Sequence, residues 1–476
     1  YGIRRLVAER AHSAREAVDI ATKLLAEFGY FHDGRTYTFA DANEAWQLAI
    51  HQGNSWAARK IHDNEVVYIP NNFMMDKVDL NDKETWRIEP KQVERAVKDG
   101  RHDAKNPIFN WRKVVAQESV RHERWNANRN VLAWKFLTGV EYNDPEKFPY
   151  SAVIDRKLGV KDAMALLRLH EDYIGQDQEL YHSKSEGICR TTFHDSIVYN
   201  LTADPTLTEA WKTLGRPCQS VFVPLYPLAG PAKGTAFTDP ATATKEHFAG
   251  TPAMFDFRAD FTPHSVFSAS NNAIDNLRGD ELAKRTQLIQ AEEDKFMKDR
   301  AAVTKKAAGL KGEERTKFLH DYNQKSYDHV LKIMQAENAR LMPNKVKILA
   351  DVVKADGDGT VDFALLGAKG HEVLSANMEA TRAGMSANQL NSTRQWKNFA
   401  PAEKMVYKDV NNDGITDVVF TFKAKDVTKG AVAGAAMDLW LYTQINGHRV
   451  TGFDVVPVEN DKVKMKKGGH DGKGLL

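Results

Sequence analysis

Apolar and polar positions alternate with a period of two between residues 41 and 82, and polar turns interrupt the alternation at Gly53-Asn54 and Asp63-Asn64. A period of two is typical of half-buried strands, and short polar turns between strands are typical of hairpins. The pattern predicts three successive strands in a meandering antiparallel sheet. They cover Ala45 to His51, Ser55 to Ile61 and Glu65 to Ile69.

Sequence patterns typical of helices lie on both sides of this segment. Ser13 followed by Glu16 fits a capping box, and Gly29 stands where a helix C-terminus is expected, so a helix is predicted between them. Residues 89–175 are mostly helical in pattern. Their stretch 110–136 is rich in Trp, Arg, His and Asn, which we interpret as helix surface beside a sheet rather than as a nucleic-acid site.

The second half of the chain changes pattern twice. Strand character returns at 196–201, 209–214 and 220–225, and a Gly-, Pro- and Thr-rich loop follows at 229–253. Residues 281–341 predict a helical hairpin interrupted near Gly309 to Gly312 and ended by Met342-Pro343. From Asn344, alternating apolar residues and Asp-Gly turns predict a β domain. The predicted division is therefore 1–342 and 343–476.

Composition and charge limit the classes of function that are expected for this sequence. The 476 residues include 66 Lys and Arg against 64 Asp and Glu, so no strong field favours nucleic acid. No run of eighteen apolar residues predicts a membrane span. The basic stretch 462–473 is interpreted as a frayed terminus. For Cys189 and Cys218, one bridge and two separate buried thiols both remain open, with Cys218 expected in a strand-like, buried run.

Three sequence blocks occur in an order that resembles a known family. The blocks are Asp41-x-Asn43-Glu44-Ala45-Trp46 with Trp56-Ala57-Ala58-Arg59 and Ile69-Pro70-Asn71; Gly187 to Thr192; and Trp211 to Tyr226. Together they resemble the dipeptidases of the N-terminal-nucleophile (Ntn) hydrolases, the lactic-bacterial dipeptidase and secernin type, over residues 1–342. The resemblance implies an α+β fold with a layered αββα core, here without its N-terminal segment.

The resemblance also implies cleavage of dipeptides or small peptides by an N-terminal cysteine whose own α-amine, with a pKa of about 7.7 to 8.0, serves as the base. This sequence starts with Tyr1. The nucleophile is therefore expected upstream of Tyr1, or on a partner polypeptide produced by processing of the same precursor.

Two residues are candidates for catalysis by the same resemblance. Asn71 matches the strand-end asparagine whose side-chain amide donates to the oxyanion, although Asn72 is an alternative. Arg190 is expected to lower the pKa of the thiol or to bind the substrate carboxylate. The sequence departs from the family near the end of the first predicted strand, where Ala49 and His51 stand in place of an acidic residue.

Other functions stay open. An internal nucleophile would need a pair such as Cys189 and His194. The chain could also be a non-catalytic binding or cell-surface protein that keeps the fold, or an N-acyl amide hydrolase of the same superfamily. The oligomeric state is open, with a homo-oligomer among the alternatives.

The β domain carries two Asp-rich loops that predict calcium. The first spaces its oxygen donors as the first nine positions of a calcium loop do, although Phe420 replaces the glutamate at the twelfth. Its donors are Asp409, Asn411, Asp413, the Ile415 carbonyl and Asp417. The second loop contributes Asp356, Asp358 and Asp362, with Lys354 at its first position. Metal-free Asp-Gly turns are the alternative. Calcium would favour an extracytoplasmic location, in the periplasm, at the cell surface or secreted.

Overall fold

The structure is a computed structural model. It describes residues 2–117, 119–170, 187–190, 195–232, 279–341, 344–355, 357–385, 399–429, 435–445 and 448–459. The helices are α1 Gly2–Ala8, α2 Ala14–Phe28, α3 Pro90–Lys98, α4 Trp111–Val115, α5 Ser119–His122, α6 Arg124–Thr138, α7 Val160–Leu167, α8 Gly279–Gly309, α9 Gly312–Leu341 and α10 Ala424–Val427.

The strands are β1 Arg35–Ala40, β2 Ala45–His51, β3 Ser55–Ile61, β4 Glu65–Val67, β5 Val78–Asp79, β6 Trp86–Ile88, β7 Ile108–Phe109, β8 Ser151–Val153, β9 Ser196–Asn200, β10 Glu209–Thr213, β11 Val223–Leu225, β12 Val346–Ile348, β13 Val353–Lys354, β14 Thr360–Leu365, β15 Arg382–Met385, β16 Ala400–Pro401, β17 Lys404–Lys408, β18 Asp417–Lys423, β19 Ala435–Ile445 and β20 His448–Glu459. Helices and mainly antiparallel sheets occur together, which confirms the α+β class.

The N-terminal sheet has the strand order β1-β2-β3-β6. Successive side chains of β2 point to opposite faces of the sheet, and both faces are buried. On one face Trp46, Leu48 and Ile50 pack with α2. On the other face Ala49 lies in the cluster that contains Trp134 of α6. The predicted bounds of β2 and β3 are confirmed. Residues of α6 therefore share a hydrophobic cluster with the face of the sheet opposite α2.

One strand of the predicted meander was misplaced. β4 pairs with β8 in a separate two-stranded sheet and is not the third strand of the N-terminal sheet. The partner of β3 on that side is β6, and the other edge strand is β1, which the pattern did not reveal. Alternation indicates that a strand exists but not which strand it pairs with.

The cap predicted at the start of α2 is confirmed. The Ser13 hydroxyl accepts from the Glu16 backbone N–H at 3.1 Å. The Glu16 carboxylate reaches the backbone N–H of His12, one residue before the position that a capping box requires. Gly29 ends the helix with a φ of 68°, in the region that favours glycine.

The second sheet has the order β11-β10-β9 and packs against α7 and the hairpin of α8 and α9. The predicted break between Gly309 and Gly312 is confirmed. Most of the loop at 229–253 and the Met342-Pro343 stop lie outside the described residues. The apolar residues of the two sheets belong to separate clusters, so an αββα sandwich stays a prediction.

The C-terminal strands form two further sheets, β12-β14-β18-β17 and β13-β20-β19-β15-β16. Their shared hydrophobic cluster contains described residues between Val346 and Val456 only. A β-rich unit after the hairpin is therefore observed. The division of the chain at 342/343 stays a prediction.

Candidate functional site

Asn71 lies four residues after β4, and two side chains of α6 hold it through hydrogen bonds. Its backbone N–H donates to Oδ1 of Asn126 at 3.0 Å, and its own Oδ1 accepts from Nη1 of Arg129 at 2.8 Å. Because a guanidinium can only donate, this bond fixes which end of the Asn71 amide is the oxygen. The Asn71 side chain makes no hydrogen bond through Nδ2 to any described residue, so this donor remains for a ligand.

α6 holds these two groups rigidly. Asn126 and Arg129 are three residues apart, hence on one helix face, and both are buried. The Asn126 amide donates to the Val120 carbonyl at 2.8 Å, and the Arg129 guanidinium lies 5.0 Å from the centre of the Trp125 ring. Asn71 is thus positioned by buried groups although it is itself exposed.

Asn72 is arranged differently. Its Nδ2 donates to the Phe73 carbonyl at 3.1 Å and contacts the Met74 sulfur at 3.2 Å. Its Oδ1 is buried and has no hydrogen-bond partner in the described part of the chain. An amide whose donor is already engaged is a poorer candidate for stabilising an oxyanion than Asn71.

Tyr68 connects the Asn71 region to Arg190. Burial raises the pKa of the Tyr68 hydroxyl, and the positive charges of Arg129 and Arg190 act against that rise. Burial also lowers the pKa of Arg190, which the charges of Tyr68 and Cys189 oppose. Arg129, which holds Asn71, and Arg190 therefore both act electrostatically on Tyr68. Arg190 also donates from Nη1 to the Ile188 carbonyl at 3.3 Å.

Sequence reasoning missed Tyr68, Asn126 and Arg129. The stretch that contains the last two was interpreted as helix surface beside a sheet, and that placement is correct. The available signal was the presence of Asn and Arg on one helix face. Only the structure shows that this face meets the segment after β4.

His51, which stands near the family's acidic position, lies beside the same segment. Its ring centre is 6.2 Å from that of Phe73. Burial lowers the pKa of His51, against the raising effect of Asp33. One residue of the first sequence block, Asp41, has a structural role instead: it accepts from the Ala14 backbone N–H at 2.7 Å and so anchors the start of α2.

The two cysteines are close together and not bonded. Their sulfurs are 3.4 Å apart. Cys189 is fully buried, while Cys218 is partly exposed in a turn, which corrects the expectation of a buried, strand-like position. One ring nitrogen of His170 and both sulfurs lie within 4.8 Å of one another. His194, the predicted partner of Cys189, lies outside the described residues.

The first Asp-rich loop is held by its own backbone amides. Asp409 accepts from the N–H groups of Asp413 and Gly414, and the buried carboxylate of Asp417 accepts from those of Gly367 and Val410. Asn411 donates to Asp413 at 2.8 Å. Within the described ranges, Asp409, Asp413 and Asp417 do not bring one oxygen each within 4.8 Å of one another.

In the second Asp-rich loop, Asp356 lies outside the described residues. Asp358 is exposed and 3.5 Å from Lys425, and Asp362 accepts from the Thr421 hydroxyl at 2.6 Å. The residues of both loops are therefore compatible with metal-free turns, and the calcium prediction rests on donor chemistry and spacing. Among the helices that the structure describes, none is long and apolar enough to cross a membrane.

Comparison with known proteins defines the family of the chain. The profile of Peptidase family C69 matches residues 2–245, slightly more than half of the sequence. The chain belongs to this family. The resemblance to the dipeptidase family seen in the sequence blocks is thereby confirmed.

Individual relatives agree with this assignment. The chain is 28% identical over 282 residues to a probable dipeptidase B of Lactococcus lactis subsp. lactis, covering 55% of this chain and 54% of the relative. It is 30% identical over 164 residues to a probable dipeptidase B of Streptococcus pyogenes serotype M6, covering 33% and 31%. A probable dipeptidase A of S. pyogenes serotype M18 is 21% identical over 364 residues, 72% of each chain. The chain thus spans about half the length of the first relative and a third of the second.

Proposed function

We propose that this chain is the substrate-binding part of a cysteine-type dipeptidase whose nucleophile is an N-terminal cysteine outside the sequence Tyr1 to Leu476. Membership of Peptidase family C69 and the names of the relatives support hydrolysis of short peptides. The observation that carries the site is the fixed amide of Asn71, whose oxygen is held by Arg129 and whose Nδ2 remains available.

The proposed reaction is acyl transfer through a thioester. The free α-amine of the terminal cysteine takes the thiol proton, and the sulfur attacks the peptide carbonyl carbon. The carbonyl oxygen gains the negative charge, which Nδ2 of Asn71 stabilises. Collapse of this intermediate releases the amine of the second amino acid with a proton from the α-ammonium, and water then hydrolyses the thioester.

We assign Arg190 to the free carboxylate of the dipeptide. A planar guanidinium can bind a carboxylate with two parallel hydrogen bonds. Partial burial of Arg190 beside Tyr68 favours this role, because an ion pair is stronger where water is excluded. The effect of Arg190 on the thiol, the other role that its position suggests, would not depend on the substrate carboxylate.

The layered αββα core, processing of a precursor, calcium in the first Asp-rich loop and an extracytoplasmic location belong to the same proposal. The spacing of Asp409 to Asp417 supports calcium there, and a calcium requirement supports the location. The loop is a structural site in this proposal and contributes no step to the hydrolysis.

Substrate specificity tests the function. The intact protein, prepared from a precursor that includes the residues before Tyr1, is incubated with unblocked dipeptides and with N-acyl amino acids. A dipeptidase hydrolyses the first, and a thiol reagent that labels its N-terminal cysteine abolishes turnover. Hydrolysis of N-acyl amino acids alone would assign the alternative amide hydrolase. No turnover of either class, together with no cysteine at a processed N-terminus, would refute the proposal and favour a binding protein.

A further inference from the structure

The segment after α7 and two further loops bring His170, Cys189 and Cys218 together, and we call these three residues the Cys2His cluster. Their positions, 19 and 29 residues apart, match no zinc spacing in the sequence. The proposed peptidase mechanism uses none of the three. We propose that the Cys2His cluster is a binding site for Zn²⁺ or a similar thiophilic divalent metal ion, independent of the proposed function.

The donor chemistry fits such an ion. Two sulfurs and one imidazole nitrogen are ligands that Zn²⁺ prefers, and three protein ligands leave the fourth tetrahedral position for water. When the metal binds, each thiol releases its proton to solvent and each sulfur donates an electron pair. The two thiolate charges then balance the charge of the ion.

The distances favour a metal over a disulfide. The separation of the Cys189 and Cys218 sulfurs, 3.4 Å, is well beyond a sulfur–sulfur bond of about 2.0 Å. It is close to the separation of about 3.8 Å that two sulfurs adopt on a tetrahedral ion with Zn–S distances near 2.3 Å. A disulfide would not use the third group, and a ring nitrogen of His170 lies within 4.8 Å of both sulfurs.

Backbone and arginine contacts hold the Cys2His cluster in place. The Cys189 backbone N–H donates to the Leu169 carbonyl at 2.9 Å, which joins the residue before His170 to the loop of Cys189. Arg168 donates to the carbonyls of Pro217 and Ser220, at 2.7 and 3.3 Å, on either side of Cys218. The three ligands are therefore fixed by neighbouring residues before any ion binds, which reduces the entropic cost of binding.

Two further features show that neighbouring residues fix the loops that carry the Cys2His cluster. Arg285 donates to the Gln219 carbonyl at 2.8 Å, so a buried cation also anchors the turn of Cys218. A Cβ at Gly187 would lie 2.6 Å from the Cys189 carbonyl oxygen, so the path of this loop requires glycine. Cys218 and His170 are only partly buried, which gives an ion and a water ligand access from solvent.

Metal analysis and cobalt spectroscopy test the site on the full chain. The protein is purified under reducing conditions without chelator and should retain about one equivalent of zinc. Replacing zinc by Co²⁺ should give the near-ultraviolet absorption of thiolate-to-cobalt charge transfer. The sequence Tyr1 to Leu476 contains two cysteines, Cys189 and Cys218, and variants at these positions separate their absorption from that of any cysteine outside it.

Variants then identify the ligands. Cys189→Ser and Cys218→Ser should each lose the bound metal and the charge-transfer absorption, and His170→Ala should bind it at least 10-fold more weakly. His32→Ala is the matched control, because that histidine is exposed, and it should keep one equivalent. Alkylating both thiols of the wild-type chain should abolish metal binding as well. This result does not depend on whether a variant folds.

Two results would overturn the metal site. One is a folded wild-type chain, with both thiols reduced, that takes up no zinc and gives no charge-transfer absorption with Co²⁺. The other is a protein isolated without reductant in which neither Cys189 nor Cys218 reacts with a thiol reagent and the two are joined with the loss of two hydrogen atoms, since that would show a disulfide.

Discussion

Single side chains set the geometry and the charge of the candidate site, as seen for Asn71, Arg129 and Arg190. The bond from Arg129 decides the orientation of the Asn71 amide, and the burial of Arg129 makes that bond strong. Arg190 contributes charge from a separate loop. Each role follows from what the side chain can donate, so each can be tested by removing one donor.

Arg190 gives a substrate-dependent prediction. If its guanidinium binds the carboxylate of the dipeptide, the wild-type enzyme should prefer a dipeptide to the same dipeptide with an amidated C-terminus. In Arg190→Ala this preference in kcat/KM should fall at least 10-fold, because a charge-assisted bond contributes about 1.5–3 kcal/mol. An unchanged preference, with both substrates slowed equally, would assign Arg190 to the thiol instead.

His51 gives a pH prediction. Burial lowers its pKa from 6.5 in the folded protein, with Asp33 acting against it, so the unfolded chain binds a proton more readily. The stability that depends on neutral His51 is complete above about pH 6.5 and is lost as the pH falls. The fall in Tm between about pH 7 and pH 5 should be smaller in His51→Gln than in the wild type. The exposed His32→Gln should follow the wild-type curve, and an unchanged slope in His51→Gln would contradict the prediction.

At the scale of helices and strands, periodicity predicted α2, β2, β3 and the α8–α9 hairpin with bounds within two residues of those observed. Caps, glycines and alternation are local signals, so the sequence contains them directly. Pairing partners are not local, which is why β4 was assigned to the wrong sheet and β1 was missed. For the same reason Asn71 could be predicted from its block, but Arg129 could not.

The hairpin depends on a buried ion pair. Arg285 of α8 is almost fully buried, and it contacts Glu337 of α9 at 3.4 Å and the Gln219 carbonyl at 2.8 Å. Removing Arg285 leaves a cavity and takes a donor away from the Gln219 carbonyl, whereas Glu337 keeps its bond to Arg340. Arg285→Ala should therefore lower the free energy of unfolding by about 2–4 kcal/mol in denaturant titrations.

Arg340 provides the matched control, since it binds the same Glu337 from a position that is 42% exposed. Arg340→Ala should cost less than about 1 kcal/mol. Equal losses of unfolding free energy in Arg285→Ala and Arg340→Ala would show that burial does not decide how much each arginine contributes to stability.

At the scale of the whole molecule, the chain combines peptidase-family residues with a C-terminal β-rich unit that has its own core. Alternation predicted strands in the C-terminal part because the change of pattern near residue 344 is abrupt, whereas the division at 342/343 stays a prediction. The Cys2His cluster could not be predicted, since its residues meet only after α7 and two loops are in place.

Calcium tests the proposed role of the first Asp-rich loop. Binding to the folded chain alone should raise Tm as calcium is added, and Asp413→Ala should abolish the rise. Asp33→Ala, which removes an exposed aspartate outside the β-rich unit, should respond as the wild type does. A Tm that does not change at millimolar calcium would eliminate this metal site and leave the loop as a turn held by Asp409 and Asp417.

The most direct test of the central claim compares kcat for a dipeptide in Asn71→Ala and Asn72→Ala, both prepared as the intact enzyme with its N-terminal cysteine. Loss of one preorganised oxyanion donor should lower kcat about 100- to 1000-fold in Asn71→Ala. Asn72→Ala should stay within a few-fold of the wild type, because its amide donor is already engaged with Phe73 and Met74. If Asn71→Ala keeps wild-type kcat, or if Asn72→Ala shows the large loss instead, the proposed active site is wrong.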